Sequence, residues 1–406
     1  MRQLFWGILF TGNLFSAKAQ RICLSEDYLK NHPVPVNAGT HTPTGVERDT
    51  LSNEIITIPV VVHLLYKTGE QNISEAQVRS QIEALNKDFR RTNTDAINTP
   101  AAFKLLAGDA KINFCLAQVA PNGQRTKGII RKYTSKDYFT GDDAMKFSTA
   151  GGDDVWDSKR YLNIWVCNLY GRALGYATVP GQPVDKDGVV INWDVFGTTG
   201  NLRQPFTKGR TATHEVAHWL GLKHIWGDAQ CGDDGIADTP PQSDYNFGCP
   251  SFPKLSSCSA NGNGDMFMNY MDFSDDACMN LFTIGQVKKM RSQFSMGGAR
   301  NFFLNSYACD SMQATGGPMG DPVVAGPVTI KIYPNPVADM VYVDCKNGSW
   351  SAGRTIRIFD LQGIEVLHTI VYKNTNGISL KQLSRGVYLL RIEEGEEKLT
   401  AKIFKQ

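Results

Sequence analysis

The stretch from residue 214 to residue 224 constrains the fold more than any other part of the chain: it reads His-Glu-Val-Ala-His-Trp-Leu-Gly-Leu-Lys-His. His214 and His218 are four residues apart, so a helix projects both imidazoles from one face toward a single ion. Gly221 can adopt the left-handed backbone conformation that ends a helix, and the resulting turn brings His224 back as a third ligand. The pattern predicts a helix that stops at a glycine and carries a metal centre at its end.

Three imidazoles leave one position of a tetrahedral zinc ion open, which is typical of catalytic zinc sites. Glu215 stands beside the predicted ligands, where it can serve as general base and acid toward a zinc-activated water. The motif His-Glu-x-x-His-x-x-Gly-x-x-His fixes five positions, and a chain of this length contains it by chance in about one case in 10,000. The alternative, an amphipathic helix with solvated histidines, is therefore disfavoured.

The full spacing resembles that of the metzincin metallopeptidases, whose second mark is a methionine turn beneath the metal. Asn269-Tyr270-Met271-Asp272 is similar to that turn, although a buried methionine can also be simple core filler. Cysteines and acidic residues around these marks resemble the pappalysin family over roughly residues 54–300. The resemblance implies an α/β metzincin domain with a twisted sheet, a backing helix, a zinc-binding helix and an irregular C-terminal subdomain.

Four cysteines in this region allow three disulfide connectivities, and the residues alone leave all three open. The pappalysin resemblance implies the pairs Cys231–Cys258 and Cys249–Cys278.

An acidic loop at 233–239 offers oxygen ligands and a glycine for a sharp turn, which suits calcium. The resemblance implies calcium ligands at Asp234, the Ala237 carbonyl and Thr239, with Asp238 as a further candidate. The alternative is a solvated acidic turn held by disulfides.

Asp276 matches the acidic pocket residue of the same relatives, which implies a preference for Arg or Lys just after the scissile bond. A carboxylate at the bottom of a pocket binds such a side chain through a charge-assisted hydrogen bond. The same preference suggests self-processing near Arg48. The alternative is that Asp275 and Asp276 form a solvated acidic pair.

Phe273 departs from the family pattern, in which a tyrosine commonly stands two residues after the turn methionine. Phenylalanine lacks the hydroxyl that would assist the tetrahedral intermediate. A single oxyanion donor is worth about 10²–10³ in rate, so reduced activity is one expected consequence.

Residues 1–19 have the features of a signal peptide: Arg2, an apolar stretch from Leu4 to Phe15, and small residues at Ala17 and Ala19. The apolar stretch is too short to span a membrane. Lys and Arg number 42 against 40 Asp and Glu, so charge provides no argument for nucleic acid as a partner. Export also fits the nine cysteines, which can form disulfides outside a reducing cytosol.

Residues 20–53 are polar, lack periodicity and are predicted to be a removable pro-segment. A thiolate is a good zinc ligand, so Cys23 can occupy the open metal position as a latency switch. The alternative is a disulfide from Cys23 to Cys115, Cys167 or Cys309.

The catalytic domain is expected over residues 54–310. Strands are predicted at residues 54–66, 111–119, 161–169 and 189–196, and an edge strand above the cleft at 175–180. Pairs resembling capping boxes, Ser74 with Gln77 and Thr283 with Gln286, predict helices through about 90 and 294.

The composition of residues 311–327 is that of a linker, and short alternating strands follow over residues 328–406. These strands predict a small all-β sandwich of immunoglobulin-like type. Tyr333-Pro334-Asn335-Pro336, Gly386-Val387-Tyr388 and Lys402-Ile403-Phe404-Lys405 resemble the C-terminal sorting domain of the type IX secretion system. The alternative is an accessory binding domain of similar fold.

Together these features predict a secreted or cell-surface zinc endopeptidase with one catalytic zinc and structural calcium. Its expected partners are protein or peptide substrates and the type IX secretion machinery. A second hypothesis is a non-catalytic surface adhesin in which zinc stabilises the fold; Phe273 favours it and the intact Glu215 opposes it.

Overall fold

A computed structural model describes residues 21–34, 54–259, 262–310, 329–346, 354–371, 377–394 and 397–406. The predicted signal peptide, Arg48 and the predicted linker at 311–327 lie outside these residues. The chain divides into two compact units, residues 1–115 with 130–304 and residues 116–129 with 305–406. The predicted domain boundaries remain predictions.

The central element of the first unit is a six-stranded sheet in the order β2-β1-β4-β6-β5, with β3 also paired to β1. Its strands are β1 Ile56–Tyr66, β2 Ile112–Leu116, β3 Ile129–Tyr133, β4 Leu162–Cys167, β5 Gly175–Ala177 and β6 Val189–Asn192. β1, β4 and β6 are parallel neighbours, whereas β5 is antiparallel to β6 and forms an edge. β4 and β6 are buried along their whole lengths, which explains why apolar residues predominate in both strands.

The described residues of the first unit form five α-helices: α1 Ser25–Asn31, α2 Glu75–Phe89, α3 Ala101–Lys104, α4 Arg210–Trp219 and α5 Ile284–Ser292. Short 3₁₀ helices occur at Thr94–Asn98, Ala144–Lys146, Ser148–Ala150, Tyr170–Arg172, Trp193–Val195 and Asn301–Asn305. At α5 both hydrogen bonds of the predicted capping box between Thr283 and Gln286 are present. At α2 only the Ser74 half forms, because the Gln77 side chain donates instead to the Phe196 carbonyl.

In the second unit, two antiparallel sheets contain the remaining strands. One has the order β10-β9-β12-β13 and the other β11-β8-β7. The strands are β7 Thr329–Tyr333, β8 Met340–Lys346, β9 Arg354–Phe359, β10 Glu365–Val371, β11 Ile378–Ser379, β12 Gly386–Glu394 and β13 Glu397–Lys405. Val341, Ile358 and Leu390 belong to one buried cluster, so both sheets contribute to a common core. None of the helices in the described part of the chain has the length and apolar character needed to cross a bilayer.

Candidate active site

Helix α4 carries the first two predicted metal ligands and ends where the sequence indicates. Gly221 has φ +90°, and the N–H groups of Gly221 and Leu222 donate to carbonyls of the last helical turn. This left-handed turn redirects the chain, so that His224 returns to the face that presents His214 and His218. All three imidazoles are buried.

The three Nε2 atoms converge. His218 Nε2 lies 3.1 Å from His214 Nε2 and 3.1 Å from His224 Nε2. Each Nδ1 faces an acceptor: His214 the Tyr270 carbonyl at 2.7 Å, His218 the Leu222 carbonyl at 2.8 Å, and His224 the Asp228 carboxylate. Nδ1 therefore carries the proton in each neutral ring, and three Nε2 lone pairs face one another.

Such an arrangement fits a zinc ion. Zn–N bonds of about 2.0–2.1 Å in a tetrahedral site separate neighbouring ligand atoms by about 3.3 Å. Burial, together with the neighbouring His224, lowers the pKa of His218 to about 3, which keeps the ring in the ligand form. Asp228, four residues after His224, is the carboxylate that orients the third ligand.

Glu215 lies beside this cluster and is 1% exposed. Burial raises the pKa of its carboxyl to about 7, near the value that suits a general base at neutral pH. The edge strand β5 passes directly over it. A Cβ at Gly175 would lie 2.6 Å from the Val190 carbonyl oxygen and 3.1 Å from Glu215 Cγ, so only glycine fits here.

The segment predicted to be the methionine turn, Asn269-Tyr270-Met271-Asp272, contacts the metal site through the Tyr270 carbonyl. Met271 is fully buried, and the carbonyl of Tyr270 accepts the hydrogen bond that orients His214. The Tyr270 hydroxyl donates to Asp88, which also forms an ion pair with Arg210 at the start of α4. This network connects α2, α4 and the turn.

Asp276 lies at a buried position near the N-terminus of α4. Its Oδ2 accepts from the backbone N–H groups of Lys208 at 2.8 Å and Arg210 at 3.2 Å. Its Oδ1 accepts from the guanidinium of Arg21 at 2.6 Å, and both side chains are 1% exposed. A solvated acidic pair is thus excluded for Asp276, which binds an arginine in this structure.

In the acidic loop the predicted calcium residues play different roles. Asp234 Oδ1 accepts from Ile236 N and from the Thr239 hydroxyl, each at 2.9 Å. Its Oδ2 is buried and has no hydrogen-bond partner in the part of the chain that the structure describes, and burial raises the pKa of this carboxyl to about 6. An orphaned carboxylate oxygen fits a bound cation.

Asp238 instead caps helix α5. It accepts from the Thr283 hydroxyl at 2.6 Å and from Gly285 N at 2.7 Å. The Thr239 hydroxyl shares its proton between Asp234 Oδ1 at 2.9 Å and the Ile236 carbonyl at 2.7 Å.

The cysteines of this region are joined as the family resemblance implies, Cys231 to Cys258 and Cys249 to Cys278. Cys23 carries a free thiol, and so does the buried Cys167. Cys115 and Cys309 are disulfide-bonded, which removes the proposed disulfide alternatives for Cys23. The ligand atoms of Cys23 and the three histidines all lie within 4.8 Å of one another.

Phe273 packs against the metal site without a polar group. Its ring centroid lies 5.0 Å from that of His224, 4.8 Å from Trp226 and 5.2 Å from Tyr245. All four rings line a cavity of about 620 Å³ beside Cys23.

Comparisons with known proteins agree with this geometry. The family model described as pregnancy-associated plasma protein-A matches residues 148–295. Extracellular metalloproteases are similar in sequence: that of Verticillium alfalfae is 29% identical over 69% of this chain and 96% of its own length. That of Arthroderma gypseum is 31% identical over 60% of this chain and 74% of its own length.

Solved structures are also similar to this chain. Mature mirolysin of Tannerella forsythia, in complex with a cleaved peptide, is 54% identical with TM-score 0.61, covering 63% of this chain and 97% of that chain. The chain belongs to the pappalysin family. A promirolysin mutant of Tannerella forsythia is 49% identical with TM-score 0.66, covering 71% of this chain and 98% of that chain. Like these pappalysins, the chain is a zinc metalloendopeptidase, so the adhesin hypothesis is not favoured.

The tail matches the secretion system C-terminal sorting domain over residues 331–406. This pappalysin is accordingly exported by type IX secretion, as the sequence predicted, and reaches the outside or the surface of the cell.

Sequence reasoning missed three residues that contact the site. Arg21 and Ser25 flank Cys23 at alternate positions, and Asp228 follows His224 by four residues. The alternation of polar side chains at residues 21, 23 and 25 is the sequence feature that could have indicated Arg21 and Ser25.

Proposed function

We propose that the processed enzyme cleaves peptide bonds immediately before Arg or Lys, with Glu215 as general base and then general acid. The convergence of three Nε2 atoms beside a buried glutamate is the observation that carries this proposal. Zinc bound at this site supplies Lewis-acid chemistry, polarising the scissile carbonyl and acidifying a water molecule.

The protein groups then perform the remaining tasks. The outer main-chain groups of edge strand β5 bond to Leu24 and Ser25 in this structure. After removal of the pro-segment they would be available to an extended substrate, which aligns the scissile bond over α4. Glu215, with a pKa of about 7, accepts a proton from the attacking water and returns it to the leaving amine. The Tyr270 carbonyl holds the ligand His214 in place.

Asp276 is proposed to select the residue after the scissile bond. In this structure the guanidinium of Arg21 binds the Asp276 carboxylate, which supports a pocket whose charge and size suit an arginine side chain. Thr211, the Ser274 carbonyl and the Phe206 ring complete the surroundings of that guanidinium.

Latency through Cys23 is part of the proposal. Its free thiol lies in the cluster with the three histidines and 3.5 Å from Glu215 Oε2. A thiolate here would fill the ligand position that the substrate water needs.

We also propose structural calcium at Asp234, whose orphaned Oδ2 supports a cation there. Thr239 and the Ala237 carbonyl remain proposed ligands from the family resemblance, whereas the two hydrogen bonds of Asp238 with the α5 N-terminus make it a weaker candidate. For the tail, the common core of the two sheets supports an immunoglobulin-like sandwich.

The test is cleavage of a peptide library by the protein after removal of the pro-segment, beside its Glu215→Ala variant, with products mapped by mass spectrometry. We expect cuts before Arg and Lys that disappear in the variant. Cuts that persist in Glu215→Ala would contradict its role, and cuts without a basic residue after the bond would contradict the pocket.

A further inference from the structure

A buried pocket lies beside edge strand β5, on the face of the sheet that points away from helix α4. Position 175 faces α4, because a Cβ at Gly175 would lie 3.1 Å from Glu215 Cγ. Successive residues of a strand point to opposite faces, so Tyr176 points away from α4. The ring centroid of Tyr28 lies 5.0 Å from that of Tyr176, and Tyr28 is 3% exposed. The pocket thus holds a phenol next to the strand that is proposed to bind substrate.

A buried carboxylate forms the polar end of this pocket. The Tyr28 hydroxyl donates to Asp143 Oδ2 at 2.8 Å, and the Tyr176 hydroxyl donates to Oδ1 at 3.0 Å. Lys146 Nζ lies 2.8 Å from Oδ1 and Lys186 Nζ lies 3.4 Å from Oδ2. Although burial opposes ionisation of Asp143, the charge of Lys146 holds its pKa below the ordinary value. Asp143 is therefore an acceptor that a phenol hydroxyl can pair with.

The ammonium of Lys146 makes the same pocket favourable for an aromatic ring. Its Nζ lies 5.3 Å from the centroid of the Tyr28 ring, 5.0 Å from that of Tyr176 and 5.5 Å from that of Trp165. A desolvated ammonium is stabilised by each ring face within about 6 Å. Two of these rings belong to the sheet and one to the predicted pro-segment.

The remaining walls of the pocket are apolar. Phe139, Leu169 and Ala173 belong to the same buried cluster as Tyr28. Apolar walls with a few placed polar groups are typical of ligand pockets. A phenol satisfies the walls, the ammonium and the carboxylate together, whereas an acidic side chain would be repelled by Asp143 and an aliphatic one would leave its carboxylate without a donor.

The position of Tyr28 relative to the metal site shows which part of a substrate could reach this pocket. Cys23 Sγ lies within 4.8 Å of ligand atoms of the three histidines. Arg21, at Asp276, precedes Cys23 in the chain and Tyr28 follows it. With a substrate arginine at Asp276, the Tyr28 pocket therefore lies on the side of the residues before the scissile bond.

Distance and strand geometry select one of these residues. Two residues from Cys23 to Ser25 and three helical residues from Ser25 to Tyr28 span at most about 11 Å, which three extended residues also span. In an extended substrate the first and third residues before the bond point away from the side that the arginine faces. The first has its carbonyl at the metal, so the third is left for the pocket beside Tyr176.

We propose that the pocket formed by Asp143, Lys146 and Tyr176 is a second specificity site of the processed enzyme, which binds a tyrosine side chain of the substrate three residues before the scissile bond. This inference rests on the proposed function, because removal of the pro-segment vacates the pocket. Asp143 distinguishes tyrosine from phenylalanine through the hydroxyl, and the Lys146 ammonium distinguishes both from aliphatic residues.

The first test requires no variant. Zinc-loaded enzyme without its pro-segment is assayed with three peptides that carry arginine after the scissile bond and differ only in having tyrosine, phenylalanine or leucine three residues before it. We expect kcat/KM for the tyrosine peptide to exceed that for the phenylalanine peptide about 10–100-fold, because the hydroxyl donates to a charged acceptor. Phenylalanine should exceed leucine by about threefold. Equal kcat/KM for tyrosine and phenylalanine would overturn the inference.

The second test assigns the discrimination to Asp143. Asp143→Asn should bring the ratio of tyrosine to phenylalanine to within about threefold of one and leave the preference for arginine over norleucine unchanged. Asp142→Asn is the matched control, because this neighbouring carboxylate is exposed and asparagine keeps the acceptor for Ala144 N. Since Asp143→Asn leaves a buried ammonium without its counter-ion, Asp143→Asn combined with Lys146→Met serves where the single variant does not fold. A folded variant that keeps the wild-type ratio would show that Asp143 does not bind the phenol.

A binding measurement separates this inference from the proposed function. Peptides that end at the residue before the scissile bond, with tyrosine or phenylalanine at the third position from that end, are titrated into the Glu215→Ala protein without its pro-segment. The tyrosine peptide should bind at least about tenfold more tightly. If it does so while the wild type makes no cuts before arginine, only the proposed cleavage fails. If the wild type cuts before arginine while tyrosine and phenylalanine are equal in both assays, only the tyrosine pocket fails.

Discussion

Asp276 and Asp234 are two carboxylates that the sequence marks for cation binding, and the structure gives them different partners. Both oxygens of Asp276 accept hydrogen bonds, one from Arg21 and the other from the N–H groups of Lys208 and Arg210 at the N-terminus of α4. Among the described residues, Asp234 has partners at Oδ1 only, and its buried Oδ2 has none. One site is complete in the precursor, and the other needs a proton or a cation.

The difference bears on the proposed removal of the pro-segment. Without the pro-segment, Asp276 would lose Arg21 and keep the backbone N–H groups of Lys208 and Arg210. We propose that a substrate side chain then supplies the positive partner of Asp276, and that a metal ion supplies that of Asp234.

The largest expected effect comes from removing the charge of Asp276 in the mature enzyme. Asp276→Asn keeps an oxygen for the N–H groups of Lys208 and Arg210 but cannot pair with a guanidinium. We expect kcat/KM for a peptide with arginine after the scissile bond to fall about 10²–10³-fold relative to its norleucine analogue.

Asp275→Asn is the matched control, since it removes a less buried neighbouring carboxylate and should leave the arginine preference intact. Asp276→Ala is a poorer test because it also removes the acceptor that positions α4. An arginine preference that survives in Asp276→Asn would show that the pocket lies elsewhere.

The second largest expected effect is the stabilisation of the fold by calcium bound at Asp234. At calcium concentrations about 100 times the dissociation constant, binding should raise the free energy of unfolding by about 2.7 kcal/mol. Urea unfolding of the zinc-loaded protein with and without calcium measures this increment. Asp234→Asn should abolish it and the exposed Asp233→Asn should not; equal stability of the wild type in both conditions would rule out the site.

A smaller effect is the pH dependence of that increment. Burial raises the pKa of Asp234 from its ordinary 3.8 to about 6. Without calcium, the stabilisation from its protonation is complete below pH 3.8 and is lost as pH rises through about 6. Calcium requires the carboxylate, so its increment in melting temperature should be larger at pH 7.5 than at pH 5. A pH-independent increment would place the ion on other ligands.

The sequence predicted the parts of the site that depend on local geometry. His214, His218 and the turn at Gly221 follow from helical periodicity and the conformational freedom of glycine. Strand β1 was predicted from its run of β-branched and apolar residues, and β4 from the alternation of Leu162, Ile164 and Val166 with Asn163 and Trp165. These features need no knowledge of distant residues.

Contacts between distant segments could not be predicted in this way. Arg21 and Asp276 are 255 residues apart, and nothing near either residue indicates the other. Gln77 matches a capping box locally, yet its side chain bonds the Phe196 carbonyl because the tertiary fold brings that acceptor close. Asp238 was assigned to calcium from its loop, while its partners belong to α5.

The smallest predicted effect distinguishes whether Asp238 caps helix α5 or binds calcium. If it serves only as a cap, Asp238→Asn should lower the free energy of unfolding by about 0.5–1 kcal/mol, because it removes a negative charge from the N-terminus of α5. The calcium increment should stay as in the wild type, since Asp234 provides the orphaned oxygen. Urea unfolding with and without calcium measures both quantities in one series. Loss of the calcium increment in Asp238→Asn would make this carboxylate a ligand after all, and α5 would then have to give up its cap when the ion binds.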